Sequence, residues 1–411
     1  MSTPDPEIGQ RVKALRERAG LSRERLAEST GVSATLIKFV ERGTRRLTLD
    51  TARKISDVLG VRDLGELYGP TVRLSLDGSS PTHPGVPDVR KALTAWPVRV
   101  DGTPPTPDYL EGALDAAWRT WHTSRQQRSE TGAILPGLID TTQRAARLLD
   151  GRDRRRALAS LAEVYHLAQA YLAWHGDREL MWLTVDRGMQ ASLDADDPLS
   201  IARSIWYAAH LLRAVGRGEE TLERLREGID LVEPLVADGT PQAAAQLADL
   251  HLCVALTRAR KGDQSAWADW DRAREVVHRT LPAEFVDVRT RVGRTLVDVY
   301  AVMCAVDLGD ADEAQRRAHA LDPQSIPSTE RRARHYVELA RSADLEGSHE
   351  ATLHLLQRAM SVSPETVRYS PVAREIAGRL VRSAGAAIRA DAVELARAVG
   401  ASPDLGYAVY H

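Results

Sequence analysis

Apolar residues recur every three or four positions through most of the chain, and period-two alternation is scarce. That period belongs to helices with one buried face. The first seventy residues are finely punctuated. Ile8, Val12 and Leu15 share a face, with Arg11, Lys13, Arg16 and Arg18 on the others, until Gly20 stops the helix. Ser22 stands where a cap is needed for a second helix, Arg23 to about Thr30, with Leu26 and Ala27 inward. Gly31 and Val32 form a tight turn. Ser33 caps a third helix, Ala34 to Arg42, that buries Leu36, Ile37 and Val40 and ends at Gly43. A basic loop, residues 44–47, leads to a fourth helix, Thr48–Leu59, and a short fifth, Asp63–Tyr68.

A short helix, a glycine turn and a capped third helix make a helix-turn-helix. Ala27 is small where the two helices cross, and Gly31 accepts a backbone conformation that a Cβ disfavours. The third helix then turns Ala34, Thr35, Lys38 and Arg42 outward. The string VKALRERAGLSRERLAESTGVSATLIKFVERGTRRLTLDTARKISDVLGV closely resembles the XRE family, the Cro/CI-repressor type of helix-turn-helix. The resemblance implies a third helix lying in the major groove of double-stranded DNA, with the start of the second helix crossing the backbone. Matched position by position, Ser33, Ala34, Thr35 and Lys38 fall at or beside base-facing places. Arg42, Arg45, Arg46 and Thr48 fall at phosphate-contacting ones. Arg23 stands where the family usually has Gln, suited to a phosphate or a guanine edge. Lys38 can donate to guanine, and Ala34 offers only a methyl.

Charge agrees with this reading. Residues 8–62 hold 13 Lys and Arg against 6 Asp and Glu, on a chain of net charge −2. A basic head on an acidic body is the asymmetry expected when one end meets phosphate.

Residues 69–106 contain seven prolines and four glycines, so no single regular element fits them. They read as a linker, 70–106, with one short helix near Asp88–Thr94 and a brief strand conceivable over Val72–Leu76. From Pro107 to the end, glycines between helical segments fall at 176, 216, 262, 309, 347 and 385, and prolines at 198, 234, 282, 323 and 364 mark the joins. Tyr109–Ser124 and Ile134–Leu149 add an earlier pair. Helix, glycine turn, helix and break at about 40 residues is the signature of a solenoid of helix pairs. It resembles tetratricopeptide repeats, with longer intervals. Head and body together resemble actinobacterial XRE regulators with TPR-like C-terminal domains. In architecture they resemble the peptide-sensing regulators of Gram-positive quorum systems. Those grip peptides through asparagine, which this chain lacks altogether. A peptide, a small molecule or a protein all remain candidate effectors. The first helix of each pair is expected to face the groove, which nominates His166, Arg203, Trp206, His210, Arg294 and Asp298. Arg294 and Asp298 stand at the spacing of a helical ion pair.

Reaction chemistry is missing from the pattern. The chain has no phosphate-cradling glycine loop, GxSxG or HExxH, and its histidines do not fall at metal-ligand spacing. Cys253 and Cys304 sit in apolar stretches, as reduced thiols do in a cytoplasmic protein. No apolar run reaches the roughly 18 residues of a membrane span. The expectation is an all-α protein that is not an enzyme, needs no cofactor or metal, and has no membrane partner. It comprises a five-helix Cro/CI-type head at 8–69, a linker at 70–106, and a TPR-like solenoid at 107–411. It would bind a palindromic operator as a homodimer. A second reading makes the solenoid a protein-interaction adaptor tethered to DNA by the head.

Overall fold

The computed structural model describes residues 6–43, 45, 47, 49–59, 81–96, 99–175 and 177–401, in two compact units, 1–80 and 81–411. Among the described residues all regular structure is helical. The expected fifth helix Asp63–Tyr68, the strand at Val72–Leu76, Arg46 and Thr48 lie outside them.

In the first unit α1 is Pro6–Arg18, α2 Arg23–Thr30, α3 Ala34–Glu41 and α4 Leu49–Leu59. The caps are those the sequence placed: the Ser22 and Ser33 hydroxyls accept the Arg25 and Leu36 amides at 3.1 Å each. Gly31 takes φ +67°, and Thr30 Oγ1 donates to Leu26 O at 2.7 Å while accepting the Val32 amide at 3.3 Å, fixing the turn. Ile8, Val12, Val40, Leu47, Ala52 and Ile55 form one core cluster; Leu26, Val32 and Ile37 form another. Gly9 sits where a Cβ would lie 2.4 Å from Val40 O, so its missing side chain lets α1 cross α3 closely.

The second unit begins earlier than expected. Residues 81–106 of the anticipated linker belong to it. Helix α5, Val86–Thr94, buries Val86, Val89 and Leu93 in the core it shares with the next helices. Those are α6 Pro107–Thr123, α7 Gln127–Leu148, α8 Gly151–Leu172 and α9 Arg178–Ala195. Then come α10 Pro198–Ala214, α11 Gly218–Ala237, α12 Pro241–Arg260, α13 Ala266–Thr280, α14 Arg294–Leu308 and α15 Ala311–Ala320. The series ends with α16 Thr329–Leu345, α17 His349–Val362, α18 Pro364–Tyr369, α19 Pro371–Ser383 and α20 Arg389–Ala398. From α6 to α17 each helix packs on its successor. Alternate helices α6, α8, α10, α12, α14 and α16 also touch in series, forming one layer. Gly216, Gly262, Gly309 and Gly347 close turns between helices at φ of +75° to +82°, where a Cβ would be strained. Gly176 lies outside the described residues, and Gly385 sits in a loop without that backbone conformation. Pro234, expected at a join, lies inside α11 near its end.

The layer does not run open-ended: α16 packs on α6. His122 at the end of α6 lies between Ser328 Oγ at 3.1 Å and Arg289 O at 2.9 Å. Gln127 Nε2 donates to Thr366 Oγ1 at 2.6 Å, and Glu365 accepts the Arg128 amide at 2.7 Å. The start of the repeat series is thereby fastened to its end.

Candidate nucleic-acid interface and helical groove

Helix α3 is amphipathic, with Ile37 and Val40 fully buried. Its other side presents Thr35, Lys38 and Arg42, all exposed, with Ala34 half-buried at the N-terminal end. Arg45 is exposed in the following loop, its amide donating to Phe39 O at 3.1 Å. Among the described residues the side chains of Thr35, Lys38, Arg42 and Arg45 have no partner, so their hydrogen-bonding capacity is turned to solvent. The Ser33 hydroxyl is taken by its cap. Sequence reasoning left out Phe39, 38% exposed on this surface. Its signal was a large apolar residue just before the core position Val40.

The placement of Arg16 changes, and Arg23 has a partner within the head. Arg16, expected on an outer face, is buried, and its Nε donates to Glu41 Oε1 at 2.6 Å. Arg23, expected at DNA, donates through Nε to Glu41 Oε2 at 2.6 Å while its side chain stays 37% exposed. A buried carboxylate without partners is costly, and two guanidinium groups supply them here. Glu41 thus ties α1 and the start of α2 to the end of α3. Hydrogen bonding to Glu41 raises Arg16 above its ordinary pKa.

In the body, the structure brings four of the six nominated groove residues together. Arg203 Nη1 donates to Glu163 Oε1 at 2.9 Å. His166 Nε2 lies 2.8 Å from Ser204 Oγ, and its ring stacks on Tyr207 at 4.5 Å between centroids. Trp206 and His210 have ring centroids 3.9 Å apart, and His210 Nδ1 lies 2.9 Å from Arg213 Nη2. Arg294 and Asp298 depart from expectation: among the described residues no ion pair joins them. Asp298 is exposed, under the electrostatic influence of His278, Arg274 and Arg317 on α13 and α15, so its side chain faces the other layer.

Asp249 on α12 is a further buried polar residue of this layer. It is 1% exposed, with Oδ1 lacking a hydrogen-bond partner. Burial pushes its carboxyl up to about 7, against the opposing pull of Arg331. Burial also raises Glu163, yet Arg203 and Arg289 overrule it and hold that carboxylate well below the usual range. Burial, then Arg213, keeps His210 far below the usual imidazole value and therefore neutral. Among the described residues no cluster of His, Cys, Asp and Glu has the makings of a metal site, and no helix is long and apolar enough to cross a membrane.

A family profile described as Helix-turn-helix matches residues 12–67. Over 56 residues the chain is 42% identical to Control protein C.BamHI of Bacillus amyloliquefaciens, spanning 13% of this chain and 69% of that protein. The apo form of ComR from S. thermophilus aligns over 87% of this chain and 98% of its own, at 14% identity and a TM-score of 0.30. The apo form of the competence regulator ComR from Streptococcus vestibularis aligns over 88% and 97%, at 12% identity and a TM-score of 0.29. Likeness at that level carries nothing about ligands to this chain. The head is decisive: with that identity over more than two thirds of a control protein, and with its caps, glycine turn and outward basic face in place, the chain belongs to the XRE-type helix-turn-helix family of DNA-binding regulators.

Proposed function

We propose that the chain is a sequence-specific transcription regulator of the cytoplasm that reads its operator through Thr35, Lys38 and the start of α3. Arg42, Arg45, Arg46 and Thr48 anchor phosphates, and Ser33 and Ala34 sit against the groove edge. Arg23 has a double role: its Nε braces Glu41, and its exposed edge meets the backbone. The observation that carries this reading is the row Thr35, Lys38 and Arg42, unpartnered among the described residues, on a helix tied from behind by the Arg16–Glu41 pair. Base edges in the major groove discriminate through such free donors, at about 1–3 kcal/mol for each well-placed pair. The chain acts as a homodimer on a palindromic site, because one short recognition helix reads too few base pairs alone.

The body senses an effector in the layer formed by α8, α10 and α12, where Arg203, Trp206 and His210 are half-buried rather than sealed. Selection of bound duplexes from a random pool tests the DNA part. A discrete inverted-repeat site for the natural chain, with relaxed preference for Lys38→Ala, is the expected result. Diffuse binding by both proteins, or unchanged preference in the variant, refutes base reading by α3.

A further inference from the structure

Helix α8 opens with the sequence GRDRRR, which sets Arg152, Arg154, Arg155 and Arg156 in its first two turns. This is the wrong end for positive charge. The unsatisfied amides of a helix N-terminus carry about half a positive charge and favour anions there. The cap residue Asp150 makes no side-chain capping hydrogen bond, and Asp153 is the one acidic residue of the first turn beside the arginines. Arg154 reaches away, its Nε donating to Ala146 O at 3.1 Å.

The other three arginines stand on one stripe of α8, which continues through Ala159, Ser160 and Glu163 along one wall of a cleft of about 430 Å³. Glu111 and Leu114 of α6, Asp197, Ser200 and Arg203 at the start of α10, and Arg289 complete most of the lining. That volume suits a metabolite of nucleotide size or smaller. The lining holds five arginines and three carboxylates, and each carboxylate is already engaged. Glu111 accepts from Arg156 at 2.9 and 3.0 Å. Asp197 caps α10 by accepting the Ser200 amide at 3.0 Å. Glu163 lies between Arg203 at 2.9 Å and Arg289 at 3.7 Å. Arg152 and Arg155 are left exposed at the mouth, and among the described residues neither has a partner. Arg289 donates through Nη2 to Asp115 Oδ1 at 3.0 Å, while its buried Nη1 has no hydrogen-bond acceptor among the described residues.

We propose that this cleft binds a small polyanion, a metabolite carrying two or more phosphate or carboxylate groups, with Arg152 and Arg155 clamping one anionic group and Arg203 and Arg289 presenting positive charge to another. Guanidinium groups are suited to both anions, because their forked donors match the paired oxygens. The ligand relieves the like-charge crowding that the bare helix terminus carries. As a statement of ligand class the proposal deepens the effector-sensing reading and rests on it for any consequence at DNA.

The test is calorimetric titration of the full chain with inorganic pyrophosphate and, separately, citrate, which distinguish phosphate from carboxylate as the preferred group. Saturable binding at one site per chain by either probe is expected, weakened at least tenfold in the double variant Arg152→Gln/Arg155→Gln and unchanged in Lys38→Ala. The double variant removes exposed, unpaired side chains, so its Tm is expected to match or exceed that of the natural chain. Absence of saturable binding of both probes by the natural chain, or equal binding by the double variant, overturns the proposal. So does a double variant that loses operator affinity when the natural chain binds neither probe, since the arginines then serve DNA phosphates. Probe binding that leaves operator affinity unchanged keeps the site and removes the sensing reading.

Discussion

His122 Nδ1 lies 3.1 Å from Ser328 Oγ across 206 residues of chain, joining the end of α6 to the cap of α16. The Nε2 side of the same ring meets Arg289 O at 2.9 Å, which requires a proton on Nε2 and leaves Nδ1 to accept from the serine. One neutral imidazole thus fastens the first helix of the touching layer to its last. The bridge sits on the face of Trp118, at 5.6 Å and 18° between rings. Replacing His122 by alanine removes both hydrogen bonds and leaves a cavity. The expected loss is about 3 kcal/mol, read by chemical denaturation. Proteolysis is expected to cut first near residues 281–293 and 323–328, the loops released with the bridge.

The buried histidines set a direction for acid sensitivity. Burial, and then Arg331, lowers His122 to about 3. Burial and Arg128 lower His175 to about 3, and burial lowers His335 to about 4. Each folded value lies below the ordinary 6.5, so the unfolded chain takes up protons that the fold refuses. The stability these neutral rings protect is intact above pH 6.5 and is lost as pH falls towards 3. Thermal melts from pH 7 to pH 4 are expected to show a steady fall in the Tm of the body, and a flat profile would contradict the buried neutral state.

Asp249 titrates in the opposite sense. Its folded value of about 7 lies above the ordinary 3.8, so the fold keeps a proton that the unfolded chain has released. Its contribution to stability falls as pH rises from about 4 to 7 and is level above that. Asp249→Asn keeps the shape and removes the titration. It is expected to raise stability at pH 8 by on the order of 2–4 kcal/mol and to change little at pH 4. Paired melts of the two proteins at both values check the sign.

In the head, Glu41 serves two arginines from a buried position. Glu41→Ala strands the Arg16 charge without its carboxylate, and the expected cost is about 3–5 kcal/mol. That is a large part of the whole stability expected of a head of this size. Loss of operator binding is expected together with rapid cleavage in the first sixty residues, while the body keeps its own melting transition. The double change Arg16→Met/Glu41→Leu, which removes both charges, is expected to restore folding but to leave Arg23 without its brace.

The head was the legible part of the sequence because its signals are local. Ser22, Gly31 and Ser33 act within four residues of themselves, and the structure places each as its chemistry requires. The Arg16–Glu41 pair spans 25 residues, and periodicity alone assigned Arg16 to an outer face. Closure of the body through His122 and Glu365 spans more than 200 residues and leaves no periodic trace. Helix α7 shows a different limit. The pattern predicts a start at Ile134, yet the helix begins at Gln127 and runs through Gly132 and Pro136. Proline clashes with the carbonyl four residues earlier, and here that carbonyl belongs to Gly132, packed too tightly on Tyr171 to admit a Cβ. Among the groove candidates, Arg203 and His210 share the face that Trp206 marks, whereas Asp298 faces the helices of the other layer, because repeat register is set by packing between helices and not by spacing within one.

The outward row on α3 separates into two kinds of contact that salt distinguishes. A phosphate contact releases condensed counterions, so each one lost lowers the slope of log affinity against log salt by about 0.9. A base contact adds little to that slope but carries preference. Arg42 stands at the C-terminal end of α3, beside the loop that holds Arg45, where backbone phosphates rather than base edges are expected. Arg42→Ala is therefore expected to weaken binding to every duplex alike and to reduce the salt slope by about one, with base preference unchanged. Lys38→Ala is expected to do the reverse: a loss of about 1–3 kcal/mol confined to the best site, with the slope nearly kept. Binding isotherms at four salt concentrations, on the selected site and on a scrambled duplex, give both quantities for each variant. If Arg42→Ala alters preference and Lys38→Ala alters only the slope, the recognition helix lies in the groove in the opposite orientation. The assignment of Thr35 and Ala34 to base edges then fails with it.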